Sequence, residues 1–346
     1  MESGMKHIVI AGGYGHVGQK IARRLAHTGA VRVTIAGRDA DKAQRAASRL
    51  GVGWARLDVT APEARPDPLA AADIVICCLD TPTDALARAT LARGAAYVDI
   101  TATDAVIRRI EALDGLAREH GTLAVLSVGL APGLTNLLAR QAVEAISQAD
   151  AVRIGILLGL GDAHGPAALD WSLRSFASVD PGDISPMRFQ PGGRPLPTVP
   201  FDFSDQHTLM RRGYRAVETR LALGSPLVTP WTLGLLSRLS RNAGVRRALV
   251  RLLGLLRIGD DRAALLVEAS GQIGEGPARC SIALDGRREA DITAMMAAEV
   301  ALRLDTAGAQ GVRHIDELWR LGEFEEALSA EGIALHTELA STGSKD

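Results

Sequence analysis

A glycine-rich turn, Gly12-Gly13-Tyr14-Gly15-His16-Val17-Gly18, narrows the possible folds of this chain more than any other feature. It follows a short apolar run, residues 6–11, that reads as a strand. It precedes residues 16–29, where Val17, Ile21, Leu25 and Ala26 recur at helical spacing. Within it stands Gly13-x-Gly15-x-x-Gly18. Gly13 permits a tight turn, Gly15 lets backbone approach a pyrophosphate, and Gly18 lets helix and strand pack closely. The helix N-terminus adds N–H donors for an anion. In this setting the pattern reads as a dinucleotide loop, with Tyr14, His16 and Val17 as further contact candidates. The competing reading is a glycine turn in a similar fold that serves no ligand.

The rhythm continues for about a third of the 346 residues. Residues 31–36, 53–58, 73–78, 96–100 and 122–127 read as strands, and 39–50, 83–93 and 103–120 as helices. Such alternation implies an α/β fold with a Rossmann-type, doubly wound parallel sheet. After residue 129 the pattern changes. A long apolar strand over 151–160 leads into Gly/Pro/Asp-rich loops around one short helix, 167–176. Residues 263–272 and 278–285 read as a hairpin turning at Gly274-Glu275-Gly276. A helix over 290–308 and a tail helix near 314–329 follow. We therefore expect a Rossmann dinucleotide-binding domain over 1–128 and an α+β substrate and dimerisation domain over 129–290. Residues 291–346 are expected as C-terminal helices that pack back on the first domain.

Composition excludes several classes. The net charge is −1, so the chain lacks the basic field of a general nucleic-acid binder, and 3% aromatics offer few stacking platforms. Cys77, Cys78 and Cys280 are an odd number with two adjacent, a poor disulfide framework, which fits reduced thiols and a cytoplasmic location. No segment reads as a signal peptide or a membrane span, and no Cys/His spacing suggests a metal. Of 39 basic residues only four are lysine, at positions 6, 20, 42 and 345. None falls where a substrate is expected, which argues against a Schiff base with the protein.

The end of the second strand sets the cofactor type. An NAD site places an acid there for the ribose 2′-OH. This chain reads Ala36-Gly37-Arg38-Asp39, so a small residue leaves room for a 2′-phosphate and Arg38 offers it a fork of donors. Lys42 would add charge. We therefore expect NADP(H), unless Asp39 reaches the ribose and Arg38 is an ordinary surface arginine. Ligands sit beyond the carboxyl ends of such strands. That places Leu79, Asp80 and Thr81 after the fourth strand, Asp99, Thr101 and Thr103 after the fifth, and Ser127-Val128-Gly129 after the sixth. Helix capping is the plainer role for Asp80 and Thr103. Asp58 either approaches the adenine edge or closes a turn.

These pieces, together with Tyr97-Val98-Asp99-Ile100-Thr101 and Gly129-Leu130-Ala131-Pro132-Gly133-Leu134-Thr135-Asn136, resemble the saccharopine dehydrogenase-like family. The resemblance is firm over about residues 5–147 and looser beyond. It implies an NADP-binding domain and an oxidoreductase that makes or reduces a C=N bond on an amino-acid- or polyamine-like substrate. By position it also implies that Gly129, Pro132 and Gly133 lie near the nicotinamide and Asn136 near the substrate. Residues 180–262 match no substrate pattern of the family.

On the substrate side, Asp170, Trp171 and Arg174 fall within about one helical turn and suit a pocket wall for a carboxylated ligand. His164 and Asp99 are the candidate acid/base groups, and Tyr214 is a further polar candidate. Residues 226–258 combine leucines with Arg246, Arg247, Arg251 and Arg257. They read as a lid or dimer helix, or alternatively as a basic amphipathic helix on a membrane surface. The expected assembly is a homodimer acting on a small molecule. Two rivals to C=N chemistry stand: hydride transfer to or from a carbonyl on an apolar substrate, and dinucleotide binding without turnover.

Overall fold

The computed structural model describes residues 5–63, 67–161, 170, 173–177, 179–225, 228–255 and 260–341. The chain divides into two compact units, Met1–Leu137 with Ala290–Ala327, and Leu138–Glu289 with Leu328–Asp346.

The first unit follows the alternation in the sequence. Its elements are β1 (Lys6–Ala11), α1 (His16–Thr28), β2 (Val31–Gly37), α2 (Ala40–Leu50), β3 (Gly53–Arg56), β4 (Ile74–Cys77), α3 (Ala85–Leu91), β5 (Ala96–Asp99), α4 (Asp104–Glu111), α5 (Asp114–Glu119), β6 (Leu123–Leu126) and the start of α6 (Thr135–Glu144). Ile8, Val9 and Ile10 are fully buried although neighbours point to opposite faces, as expected where helices cover both sides of a parallel sheet. The register aligns Ala11 with Ala36 on one side and Cys77 on the other, and Cys77 with Asp99. Four strands thus end level, and the residues that follow them converge on one edge.

The sheet has seven strands where the sequence suggested six. The seventh, β13 (Gly311–His314), pairs in parallel with β6 after the chain returns from the second unit, giving the order β13-β6-β5-β4-β1-β2-β3. The expected helix near 314–329 is instead the end of this strand and two short helices, Ile315–Leu318 and Glu325–Ala330. Pairing at this edge satisfies backbone groups that β6 would otherwise leave unpaired.

The second unit is a mixed sheet built from β7 (Gln148–Gly159), β8 (Ser185–Met187), β9 (Leu196–Pro200), β10 (Val217–Gly224), β11 (Arg262–Ile273), β12 (Gly276–Arg287) and β14 (Ala334–Ser341), in the order β14-β12-β11-β7-β10-β9-β8. The β11–β12 hairpin turns at Gly274, whose φ of 60° suits glycine. Residues 334–341, expected among C-terminal helices, form a strand on the β12 edge. Residues 226–258, read as one segment, carry two helices, Pro230–Ser240 and Ala243–Leu255. Pro230 at the first helical position and Thr229 as its cap start the first. Asn242, whose side chain accepts from the Gly244 and Val245 N–H groups, starts the second.

Candidate cofactor and active site

The glycine loop has the shape the sequence demands. A Cβ on Gly13 would lie 2.6 Å from the Ile35 side chain and 2.8 Å from the Ile10 carbonyl, and one on Gly18 only 2.6 Å from the Gly12 carbonyl. Gly15 begins α1, and a Cβ there would meet nothing but the Gly12 carbonyl, at 3.0 Å. This is the position at which backbone stays open to a ligand. The Tyr14 ring lies over Gly37, where a Cβ would be 2.3 Å away, so the end of β2 must be small for a second reason. His16 and Val17 open α1.

Around this loop the cationic and acidic candidates sort themselves. Among the described residues Arg38 makes no hydrogen bond or close ion pair, though the Thr60 hydrogen bonds, helped by its charge, hold the Asp58 carboxyl below the usual range, so its fork of donors remains available to a phosphate. Asp39 is committed elsewhere. It caps α2 by accepting from the Lys42 N–H at 3.0 Å, and it holds the Lys42 ammonium at 3.2 Å. These bonds also hold its carboxyl below the usual range. The structure thus brings Arg38 to the loop edge, while Lys42 is paired with Asp39. Asp58 accepts from the Thr60 N–H and hydroxyl at 3.0 and 2.7 Å, which closes a turn.

Beyond β4 and β5 lies an acidic cluster. Leu79 packs on Gly12, within 2.8 Å of where its Cβ would be. Asp80, which is exposed, accepts from the hydroxyls of Thr101 and, at 2.7 Å, Thr103. This replaces the capping role considered for both Asp80 and Thr103. Thr81 is buried, and its carbonyl accepts from Arg109 at 2.7 Å. Beneath them Asp99, only 1% exposed, accepts from the Tyr97 hydroxyl at 2.7 Å and the Thr101 N–H at 2.8 Å. Burial, with a further contribution from Asp80, pushes its carboxyl up to about 7. Burial likewise pushes the neighbouring Cys77 thiol to about 12, so it is not a nucleophile near neutrality. The three cysteines are unbridged.

The segment after β6 is tightly held. Gly133 has φ 135°, and a Cβ there would meet the Ser127 carbonyl at 3.1 Å. Its N–H donates to the Asn136 Oδ1 at 2.9 Å. The Asn136 Nδ2 and Thr135 Oγ1 are buried without a protein partner, a polar inventory that suits a ligand or water. The Pro132 carbonyl and Thr293 crowd Gly129.

Sequence reasoning missed the partners of Ser127. This residue has φ 56°, unusual for a side chain other than glycine. Its hydroxyl meets His314 Nδ1 at 2.8 Å, and His314 Nε2 meets Glu111 at 3.0 Å. A carboxylate only accepts, so in the neutral ring Nε2 donates to Glu111 and Nδ1 accepts from Ser127. His314 lies 187 residues away on the seventh strand, and no local signal marks it.

In the second unit, Arg174 bonds Asp170, which also accepts from Arg246 at 3.3 Å. The two charges expected to face a ligand are thus engaged with each other. Tyr214 is half-buried after the helix Ser204–Arg211. His164 and Trp171 lie outside the described residues.

Comparison with known proteins agrees with this geometry. Residues 8–125 match the family model "Saccharopine dehydrogenase NADP binding domain". The fold is similar to that of apo saccharopine dehydrogenase (L-Glu forming) from Saccharomyces cerevisiae, with a TM-score of 0.70 at 15% identity, covering 97% of this chain and 100% of that one. It is also similar to C. glutamicum DAP dehydrogenase in complex with DAP, with a TM-score of 0.53 at 16% identity, covering 93% and 98%. No curated protein matches. The glycine cradle and Arg38 fit NADP(H). Residues 8–125 are thus a domain of the saccharopine dehydrogenase NADP-binding type, and NADP(H) is the cofactor of this Rossmann unit.

Proposed function

We propose that this chain is an NADP-preferring oxidoreductase that transfers hydride to or from a C=N bond of an amino-acid- or polyamine-like substrate. The observation that carries this reading is the acidic pair at the carboxyl ends of β4 and β5. Asp80 is exposed above the buried Asp99, and the two interact. An exposed carboxylate attracts a protonated imine, which is a far better hydride acceptor than the neutral form. The same charge would repel the alkoxide that develops on a reduced carbonyl.

NADPH supplies the hydride when bound. The protein's own residues do the rest. The loop N–H groups and the α1 N-terminus receive the pyrophosphate, and Arg38 receives the 2′-phosphate that distinguishes NADP from NAD. Asp80 orients the cationic carbon–nitrogen group, and the Thr101 and Thr103 hydroxyls hold Asp80 in place. Asp99 changes protonation near neutrality, which suits it to store the proton that accompanies hydride movement. Asn136 offers its unpartnered Nδ2 to a substrate oxygen.

The test is NADPH oxidation by purified protein against pools of amines, of carbonyls and of both together. Turnover only with both supports reductive C=N formation. Turnover with carbonyls alone replaces it with carbonyl reduction. Binding of NADPH without turnover on any pool removes the catalytic reading. Tighter binding of NADH than NADPH would refute the cofactor preference.

A further inference from the structure

The helix Pro230–Ser240 turns its apolar side outward. Leu233, Ser237 and Ser240 are buried on its inner face. Trp231, Leu235 and Leu239 are 73%, 41% and 40% exposed. They stand four residues apart, so they form one stripe about 12 Å long. The helix Ala243–Leu255 adds Leu252, 52% exposed, and Val245. An exposed tryptophan in a row of leucines is not the ordinary scatter of single apolar residues on a surface.

The charge within the two-helix segment has one sign, the nearby acids Asp180 and Asp183 belonging to the turn packed against the inner face at Ser237. From Val228 to Leu255 the sequence holds five arginines and no acidic residue. Arg246 is paired with Asp170 from outside the segment, and Arg241 donates to the Ala177 carbonyl. Arg238, Arg247 and Arg251 are exposed and have no acidic partner among the described residues. Arg238 falls on the same helix side as the stripe, since it is three residues from Leu235.

We propose that these two helices dock on an anionic lipid surface, the apolar stripe entering the headgroup boundary and the arginines meeting lipid phosphates. Tryptophan at the level of the headgroups, leucines below and arginines at the flanks is the arrangement of an interfacial helix. Neither helix is long and apolar enough to cross a membrane, so the contact is peripheral. A second copy of the chain is the other occupant to weigh. A two-fold contact centred on the stripe would place Arg238, Arg247 and Arg251 against their own copies, with no acid in the segment to offset them. Charge complementarity therefore favours the lipid.

Sedimentation of the full chain with vesicles tests this independently of any reaction it catalyses. We expect the protein to pellet with an equal mixture of phosphatidylcholine and phosphatidylglycerol, to stay in solution with phosphatidylcholine alone, and to be released by high salt. Arg247→Glu with Arg251→Glu should weaken binding at least about 25-fold, at roughly fivefold per arginine. Trp231→Ser should weaken it about tenfold, while Trp231→Phe should bind nearly as the parent does. All these positions are exposed, so unchanged melting curves confirm that the variants fold. Protein that stays in the supernatant with the anionic vesicles at low salt overturns the proposal. So does a concentration-dependent dimer that Trp231→Ser converts to monomer while vesicles bind nothing, which would assign the stripe to a second copy.

Discussion

Replacing Asp99 with asparagine should change how the stability of the first unit responds to pH. In the folded chain burial raises this carboxyl from an ordinary 3.8 to about 7. A raised carboxyl value means that the folded state binds its proton more tightly than the unfolded chain does. Its stabilising contribution is therefore complete below the unfolded value and is lost as pH rises through the folded one. At about 1.36 kcal/mol per pH unit, the loss is on the order of 4 kcal/mol between about pH 4 and pH 8. Asparagine does not titrate, so the difference between variant and parent isolates Asp99 from every other carboxylate. For a unit of this size about 1 kcal/mol moves Tm by 2–4 °C. The Tm of Asp99→Asn minus that of the parent should thus climb by about 8–16 °C from about pH 4 to pH 8. The amide can still accept one of the donors, Tyr97 Oη or the Thr101 N–H, so a constant offset is expected and does not matter. Asp80→Asn removes the charge that adds to the shift and should flatten the climb in the parent background. A difference that stays within about 2 °C across this range would refute the assignment of a buried, neutral-pH carboxyl.

Other outcomes are equally direct. Arg38→Ala should weaken NADPH binding about 10–100-fold and leave NADH binding nearly unchanged, because one charge-assisted fork is removed; fluorescence titration reads both. Gly13→Ala places a methyl 2.6 Å from Ile35, so it should abolish dinucleotide binding and lower Tm measurably in calorimetry. Arg220 is buried and bonds the hydroxyl and carbonyl of Thr198 and the Asp183 carbonyl. Its replacement by alanine should cost about 3–5 kcal/mol, read from the denaturation midpoint of the second unit.

What the residues alone determined is the part of the molecule that short-range patterns specify. The βαβ rhythm and the spacing of Gly13, Gly15 and Gly18 dictate a parallel sheet with a dinucleotide turn, because strand, turn and helix preferences act over a few positions. Arg38 was readable for the same reason: it follows the strand end directly. The positions of Asp80 and Asp99 at the carboxyl edge were legible too, but not what they do there. That Asp80 takes two threonine hydroxyls depends on which strands lie side by side; Tyr97 and Asp99 share one face of β5 by spacing alone, and packing decided that this face is buried.

Tertiary structure alone decided the edges. β13 is only four residues long, both β13 and β14 carry weak local signals, and they form because β6 and β12 would otherwise leave unpaired backbone. Helical spacing near residue 314 hid the strand that carries His314 to Ser127 across 187 positions. The apolar spacing of Trp231, Leu235 and Leu239 also reads equally well as a core face or a surface stripe, since periodicity tells which residues share a side and not which way that side points. Only packing turned it outward.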